Sequence, residues 1–93
     1  MSRQRVLNII EHAEYVTIGE LVRLTESRYS TLKYYTEEGL LAFKQEGENL
    51  TRRYKRVDAI ARIDYIKKLK SEGLSISEIK ETLNQKDKAV VNE

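Results

Sequence analysis

The sequence contains no cysteine, and that single absence excludes disulfides, thiolate metal sites and cysteine nucleophiles together. It contains one histidine, His12. With no second histidine or cysteine nearby, His12 reads as a surface or helix-end residue and not as a metal ligand. No apolar run is long enough to cross a membrane, charge interrupts each of them, and nothing resembles a signal peptide. A phosphate-binding glycine loop, a nucleophile–base pair and a metal-ligand cluster are all missing. Glu37 and Glu38 form a carboxylate pair only in sequence, because adjacent helical positions do not face one common site. These absences argue against an enzyme, against a metal or other cofactor, and against a membrane partner; the cytoplasm is the expected location.

What is present fits one small soluble domain. The chain has 93 residues, 40% apolar and 34% charged, an ordinary globular balance with a modest core. Its net charge is only +2, so the distribution of charge matters more than the total. Residues 51–70 carry eight Lys or Arg (52, 53, 55, 56, 62, 67, 68 and 70) against Asp58 and Asp64, a local charge of +6. The remainder is therefore net acidic. Such asymmetry is the electrostatic footprint of phosphate binding, although a solvated lysine-rich helix accounts equally well for Lys67 to Lys70. For Arg52-Arg53-Tyr54-Lys55-Arg56, where an aromatic ring sits amid cations, phosphate contact is the favoured reading.

The order of elements follows from apolar spacing and capping signals. Arg3 to Ala13 reads as a helix with Val6, Ile9, Ile10 and Ala13 on one stripe. Thr17 and Glu20 are spaced as a capping box, with Val16 and Leu21 as its hydrophobic staple, so a second helix opens there and runs to about Thr25. Ser27 is the candidate cap of a third helix, Arg28 to Glu38, which Gly39 closes in the left-handed conformation with Leu40 packing back. Leu32 and Tyr35 share its apolar face; Lys33, Tyr34, Arg28, Tyr29 and Ser30 are left outward. Leu41 to Lys44 and Leu50 to Tyr54 alternate around a turn-like Gln45 to Asn49, which predicts a two-stranded wing over about 41–55. Asp58 is the candidate cap of a fourth helix, about 58–72, ended by Gly73-Leu74. Ser75 and Glu78 repeat the capping box for a last helix, about 76–84, after which 86–93 reads as a frayed tail. The fold class is thus mainly α: a winged helix-turn-helix over about 17–38 with a short β wing, an extra N-terminal helix and two C-terminal supporting helices.

Several of these residues together resemble a known pattern. Thr17-Ile18-Gly19-Glu20-Leu21, Thr31-Leu32-Lys33-Tyr34-Tyr35 with Gly39-Leu40-Leu41, Arg53-Tyr54, Asp58, and Gly73-Leu74-Ser75-Ile76-Ser77-Glu78-Ile79 are similar to the DNA-binding domain of MerR-type regulators. The resemblance runs from about Tyr15 to Leu83. It implies a bacterial, nucleoid-associated protein that binds a promoter palindrome as a homodimer. Lys33 stands where the family commonly has arginine, Tyr34 and Tyr35 match its aromatic pair, and Arg53-Tyr54 match the wing's basic–aromatic pair. Departures are Glu26 in place of the usual turn glycine, Arg28 and Tyr29 in place of the usual polar cap and its neighbour, and Phe43 in place of a wing proline. The interval from Tyr54 to Gly73 is also about one residue longer than usual. An extra helix precedes the usual start, and the sequence ends before the long dimerising helix and effector domain of full-size members. On that pattern either a small stand-alone regulator without a ligand-sensing domain or a fragment is expected.

The function expected is sequence-specific regulation of transcription, with repression at least as expected as activation. Tyr29, Ser30 and Lys33 would lie nearest base edges in the major groove of double-stranded DNA; Arg28 belongs to the same presented surface. Tyr34, Lys44, Arg52, Arg53, Tyr54, Lys55 and Arg56 would hold phosphates and set the docking angle. Tyr35 is assigned to the core, with a phosphate contact left open. The extra N-terminal helix, or the last helix with Ile76 and Leu83, would supply the dimer contact, and RNA polymerase is a further candidate partner. Two alternatives remain: an excisionase-like or partition-type architectural factor, and a winged-helix module that binds protein through Glu37, Glu38, Glu46 and Glu48.

Overall fold

Thr17 caps the helix Ile18–Thr25 as its spacing predicts. Its backbone N–H donates to Glu20 Oε1 at 2.9 Å and its Oγ1 accepts from the Glu20 N–H at 3.2 Å, so two of the free donors at this helix start are satisfied reciprocally. Val16 and Leu21, the two halves of the staple, are fully buried. The computed structural model describes residues 6–48 and 50–91. Arg3 to Arg5 of the expected first helix, Asn49 of the expected turn and Asn92-Glu93 of the expected tail lie outside the described residues.

The elements in chain order are α1 (Leu7–Ile10), β1 (Tyr15–Val16), α2 (Ile18–Thr25), α3 (Tyr29–Glu37), β2 (Tyr54–Lys55), α4 (Arg56–Ser71) and α5 (Ile76–Val91). Among the described residues, five helices and one small antiparallel sheet make a mainly helical chain consistent with a winged helix-turn-helix. Among the described residues, no helix is long and apolar enough to cross a membrane. Backbone contacts divide the chain into two units, Met1–Ile63 and Asp64–Glu93, with the boundary inside α4.

In the first unit, α2 and α3 form the helix-turn-helix. The turn between them is made by Glu26, whose φ of 54° and ψ of 37° place it in the left-handed region. That conformation costs an L-residue roughly 1–2 kcal/mol, and glycine avoids it. Replacing Glu26 by Gly is therefore expected to stabilise the protein by about 0.5–1 kcal/mol, less than the full strain because glycine also gains freedom in the unfolded chain. A urea titration reads this directly; an unchanged or lower midpoint would mean that Glu26 is unstrained.

Two expected caps are placed differently. Arg28, not Ser27, is the N-cap of α3, and it makes no side-chain capping bond. The Ser27 hydroxyl instead lies 2.8 Å from Thr25 Oγ1, inside the turn. At the other end of α3 the expectation holds: Gly39 has a φ of 79°, its N–H reaches Thr36 O at 3.1 Å, and Leu40 N–H reaches Tyr35 O at 2.8 Å. This is the Schellman arrangement, which satisfies the last carbonyls of the helix.

The wing is closed by a single antiparallel bridge, Lys44 with Arg53, whose reciprocal N–H···O bonds measure 2.7 and 2.8 Å. At its tip Gln45 Nε2 donates to Leu50 O at 2.7 Å. Beyond the bridge the return strand leaves the wing. As β2 it pairs with β1, Val16 opposite Tyr54 and Tyr15 opposite Lys55, a pairing across nearly forty residues that local alternation does not reveal. The same register carries Arg56 to the segment between α1 and β1. There its backbone N–H donates to Glu14 O at 2.9 Å and its Nε to Ala13 O at 2.7 Å. Those carbonyls are committed to a distant partner. Helix α1 itself ends at Ile10, short of the expected Ala13.

Helix α4 starts at Arg56, directly after β2, so Asp58 sits in its first turn and is not its cap. Ala59 and Ile63 are buried in the first unit. In the second unit the buried residues are Ile66 and Leu69 of α4 with Ile79 and Leu83 of α5. Gly73, at a φ of 95°, repeats the Schellman bonds of Gly39: Gly73 N–H to Lys70 O at 3.0 Å and Leu74 N–H to Leu69 O at 3.2 Å. Ser75 and Glu78 form the second capping box, with bonds of 2.8 and 3.2 Å. Hydrogen bonds from the Ser75 backbone and hydroxyl hold the Glu78 carboxyl below the usual carboxylate range. Helix α5 continues to Val91, so residues 86–91 of the expected tail are helical. Leu83, expected as a dimer contact, is buried.

Candidate nucleic-acid interface

Helix α3 is two-faced because its apolar residues recur at helical spacing. Leu32, Tyr35 and Thr36 are buried. Burial of the ring, and after it the neighbouring Tyr34 phenol, raises the Tyr35 pKa above its ordinary value. Tyr35 is a core residue, only 3% exposed. The opposite face presents Tyr29 at 54% and Tyr34 at 46% exposure, together with exposed Ser30 and Lys33. Tyr29 and Lys33 lie four residues apart, as do Ser30 and Tyr34, so phenol, hydroxyl and ammonium groups line one ridge. Arg28 is exposed at the entrance to the helix.

The wing places its side chains alternately, as an extended strand must. Arg53 and Lys55 are exposed. Arg52 and Tyr54 turn the other way, toward α3. Tyr54, expected among the phosphate contacts, is only 1% exposed. Its hydroxyl lies 2.9 Å from Thr36 Oγ1, which in turn donates to Leu32 O at 2.9 Å. Each hydroxyl has one proton. Thr36 spends its own on Leu32, so the Tyr54 phenol donates to Thr36. Tyr54 is therefore a core strut that positions the wing.

Arg56 is likewise half-buried and engaged: the bonds to Ala13 and Glu14 described above make it a tie between the segment joining α1 to β1 and the start of α4. Lys44 is exposed, with Nζ 5.7 Å from the centre of the Tyr15 ring. Lys44 and Arg53 face each other across the bridge. Like charges directly opposite on paired strands are unfavourable on their own, and a bound polyanion would relieve them.

Arg52 is held on two sides. Its Nη1 lies 3.1 Å from Glu37 Oε2, and its guanidinium carbon sits 4.5 Å from the centre of the Phe43 ring. Phe43 in turn tilts against Tyr54 at 6.2 Å. Between α3, the start of α2 and the wing lies a cleft of about 360 Å³, lined by Thr17, Ile18, Tyr29, Lys33, Thr36, Glu37, Thr51, Arg52 and Tyr54. Sequence reasoning names Tyr29, Lys33, Arg52 and Tyr54 for this region and misses Thr17, Thr36 and Thr51. It places Glu37 only among the acids of a protein-binding alternative. No spacing rule joins Glu37 to a residue fifteen positions later; only the return of the wing to α3 does.

A solvent-facing reading helix, backed by a buried face and flanked by a cationic wing, defines a winged helix-turn-helix DNA-binding protein. The model of the MerR HTH family of regulatory proteins matches residues 16–86, and the chain belongs to that family. It is 38% identical over 64 residues to the HTH-type transcriptional activator SoxR homolog of Chromobacterium violaceum, a match that covers 69% of this chain and 42% of that protein. The chain thus spans less than half the length of this relative. No solved structure matches the chain significantly. The family is one of transcription regulators and not a class of enzymes.

Proposed function

We propose that the protein reads double-stranded DNA as a homodimer at a promoter palindrome and controls transcription there. The observation that carries this reading is the outward ridge of α3, with Tyr29, Ser30, Lys33 and Tyr34 opposite buried Leu32 and Tyr35. Tyr29, Ser30 and Lys33 reach base edges, since a short cationic and hydroxylic ridge suits the donors and acceptors of the major groove. Tyr34, Arg28, Lys44, Arg52, Arg53 and Lys55 contact phosphates and set the register. Two copies read half-sites roughly 34–36 Å apart, one turn of the double helix. Engagement of RNA polymerase belongs to the same reading, and the activator role of the Chromobacterium relative makes activation one of the two directions to test.

Fluorescence anisotropy tests the reading with DNA from the protein's own upstream region and a scrambled duplex, at several salt concentrations. A preference of about three decades or more for its own DNA, falling steeply with salt, is the expected result. Lys33→Ala should abolish most of the preference. Arg53→Ala should weaken both duplexes alike and reduce the salt slope by about one. Equal binding to both duplexes would favour an architectural role, and no binding at low salt would end the DNA reading.

A further inference from the structure

Glu37 is an anomaly on a surface that faces a polyanion. It is an exposed carboxylate on the reading helix, four residues beyond Lys33, and both line the cleft that Arg52 also lines. It is also the carboxylate partner of Arg52, at 3.1 Å, with the two side chains 54% and 40% exposed. An ion pair so accessible to water is worth little and is easily exchanged for another anion. The guanidinium is suited to that exchange, because its planar fork accepts a carboxylate or a phosphate with similar geometry.

Arg52 is not tethered by Glu37 alone. Phe43 stacks beneath the guanidinium at 4.5 Å, and Phe43 is steadied by Tyr54, whose phenol is anchored on Thr36. Thr36 and Glu37 are neighbours on α3, so helix and wing are joined twice, once by a buried hydroxyl pair and once by an exposed ion pair. The buried pair holds the geometry. The exposed pair can open without moving the wing, and the ring keeps the guanidinium posed at the edge of the cleft when it does.

We propose that Glu37 acts as a stand-in for a DNA phosphate: it occupies Arg52 in the free protein and yields it to a backbone phosphate when DNA docks. The inference rests on the DNA reading above and deepens it. The exchange lowers affinity for every duplex by a similar factor, because the ion pair must open whatever the sequence. Random DNA is then held more weakly, while the contacts that discriminate, at Tyr29, Ser30 and Lys33, are untouched. Glu37 is in this sense a positioning residue for Arg52 and does not itself touch DNA.

The test is a double-mutant cycle on the intact protein, with wild type, Glu37→Gln, Arg52→Ala and the double variant titrated against one scrambled duplex over a range of salt. Both side chains are exposed, and thermal melts confirm that each variant folds. Glu37→Gln is expected to bind roughly two- to fivefold more tightly than wild type, the range that an exposed ion pair commands. That gain should vanish when Arg52 is already alanine. Arg52→Ala should also lower the salt slope by about 0.9, the signature of one lost phosphate contact. A Glu37→Gln gain that persists without Arg52 would mean simple repulsion between Glu37 and DNA, and would overturn the exchange. An unchanged salt slope in Arg52→Ala would mean that Arg52 stays on Glu37 in the complex, with the same consequence. If wild type binds the duplex but Glu37→Gln binds no better, this inference alone fails; if no protein binds at low salt, the DNA reading fails with it.

Discussion

Leu32→Ala is expected to destabilise the protein by about 2–5 kcal/mol, the usual cost of emptying a closed core position. Leu32 is fully buried in the middle of the reading helix. Truncation removes apolar area and leaves a void that the neighbouring Tyr35 and Thr36 can fill only by rotating α3. In a domain of this size, each kcal/mol lowers the melting temperature by roughly 4–8 °C, so the variant should melt well below wild type. The exposed Ser30, two positions earlier, is the control; Ser30→Ala should shift stability by no more than about 0.5 kcal/mol. The pair of measurements fixes the rotational phase of α3, since the face that is costly to truncate is the face that cannot read DNA. A loss below about 1 kcal/mol at Leu32 would mean that the helix is turned otherwise, and the assignment of Tyr29, Ser30 and Lys33 to base edges would fall with it.

Thr36→Val is expected to cost about 1–3 kcal/mol, although it preserves shape and adds apolar surface. The reason is the Tyr54 phenol. Its proton has one acceptor, Thr36 Oγ1 at 2.9 Å, in a site where Tyr54 is 1% exposed. Valine leaves that hydroxyl buried and unpaired, and the desolvation penalty is then felt in full. Tyr54→Phe removes the stranded group, so the double variant Thr36→Val/Tyr54→Phe should recover most of the loss. Urea midpoints of the two single variants and the double variant measure the coupling. Additive losses would show that the two hydroxyls are independent and that the wing is held to α3 by something else. The cycle also separates Tyr54 as a strut from Tyr54 as a DNA contact: a strut changes stability, whereas a contact changes only affinity.

Local chemistry made much of this legible in advance. The two capping boxes, Thr17 with Glu20 and Ser75 with Glu78, are formed as their spacing predicts. So are the two glycine closures at Gly39 and Gly73. Each is decided within five or six residues, where backbone dihedrals and one side-chain bond leave few alternatives. The two faces of α3 were equally readable, since the 3.6-residue period assigns Leu32 and Tyr35 to one side and Lys33 and Tyr34 to the other. The cap of α3 was misread because Ser27 has a competing partner in Thr25, and the start of α4 because β2 leads directly into the helix.

The sequence by itself thus determined the order of the helices, the bounds of α2 and, to within a residue, of α3, and which side of α3 is turned to solvent, because those are questions of local backbone bonding and apolar period. Tertiary structure alone decided which cations of the wing remain available. Arg53 and Lys55 face outward, Arg52 is held between Glu37 and Phe43, Arg56 ties down the segment between α1 and β1, and Tyr54 is drawn into the core. The physical reason is that β2 leaves the wing to pair with β1, residues 15–16 against 54–55. That register fixes the alternation of every side chain from Arg52 to Arg56, and it is set by partners that no local window of sequence contains.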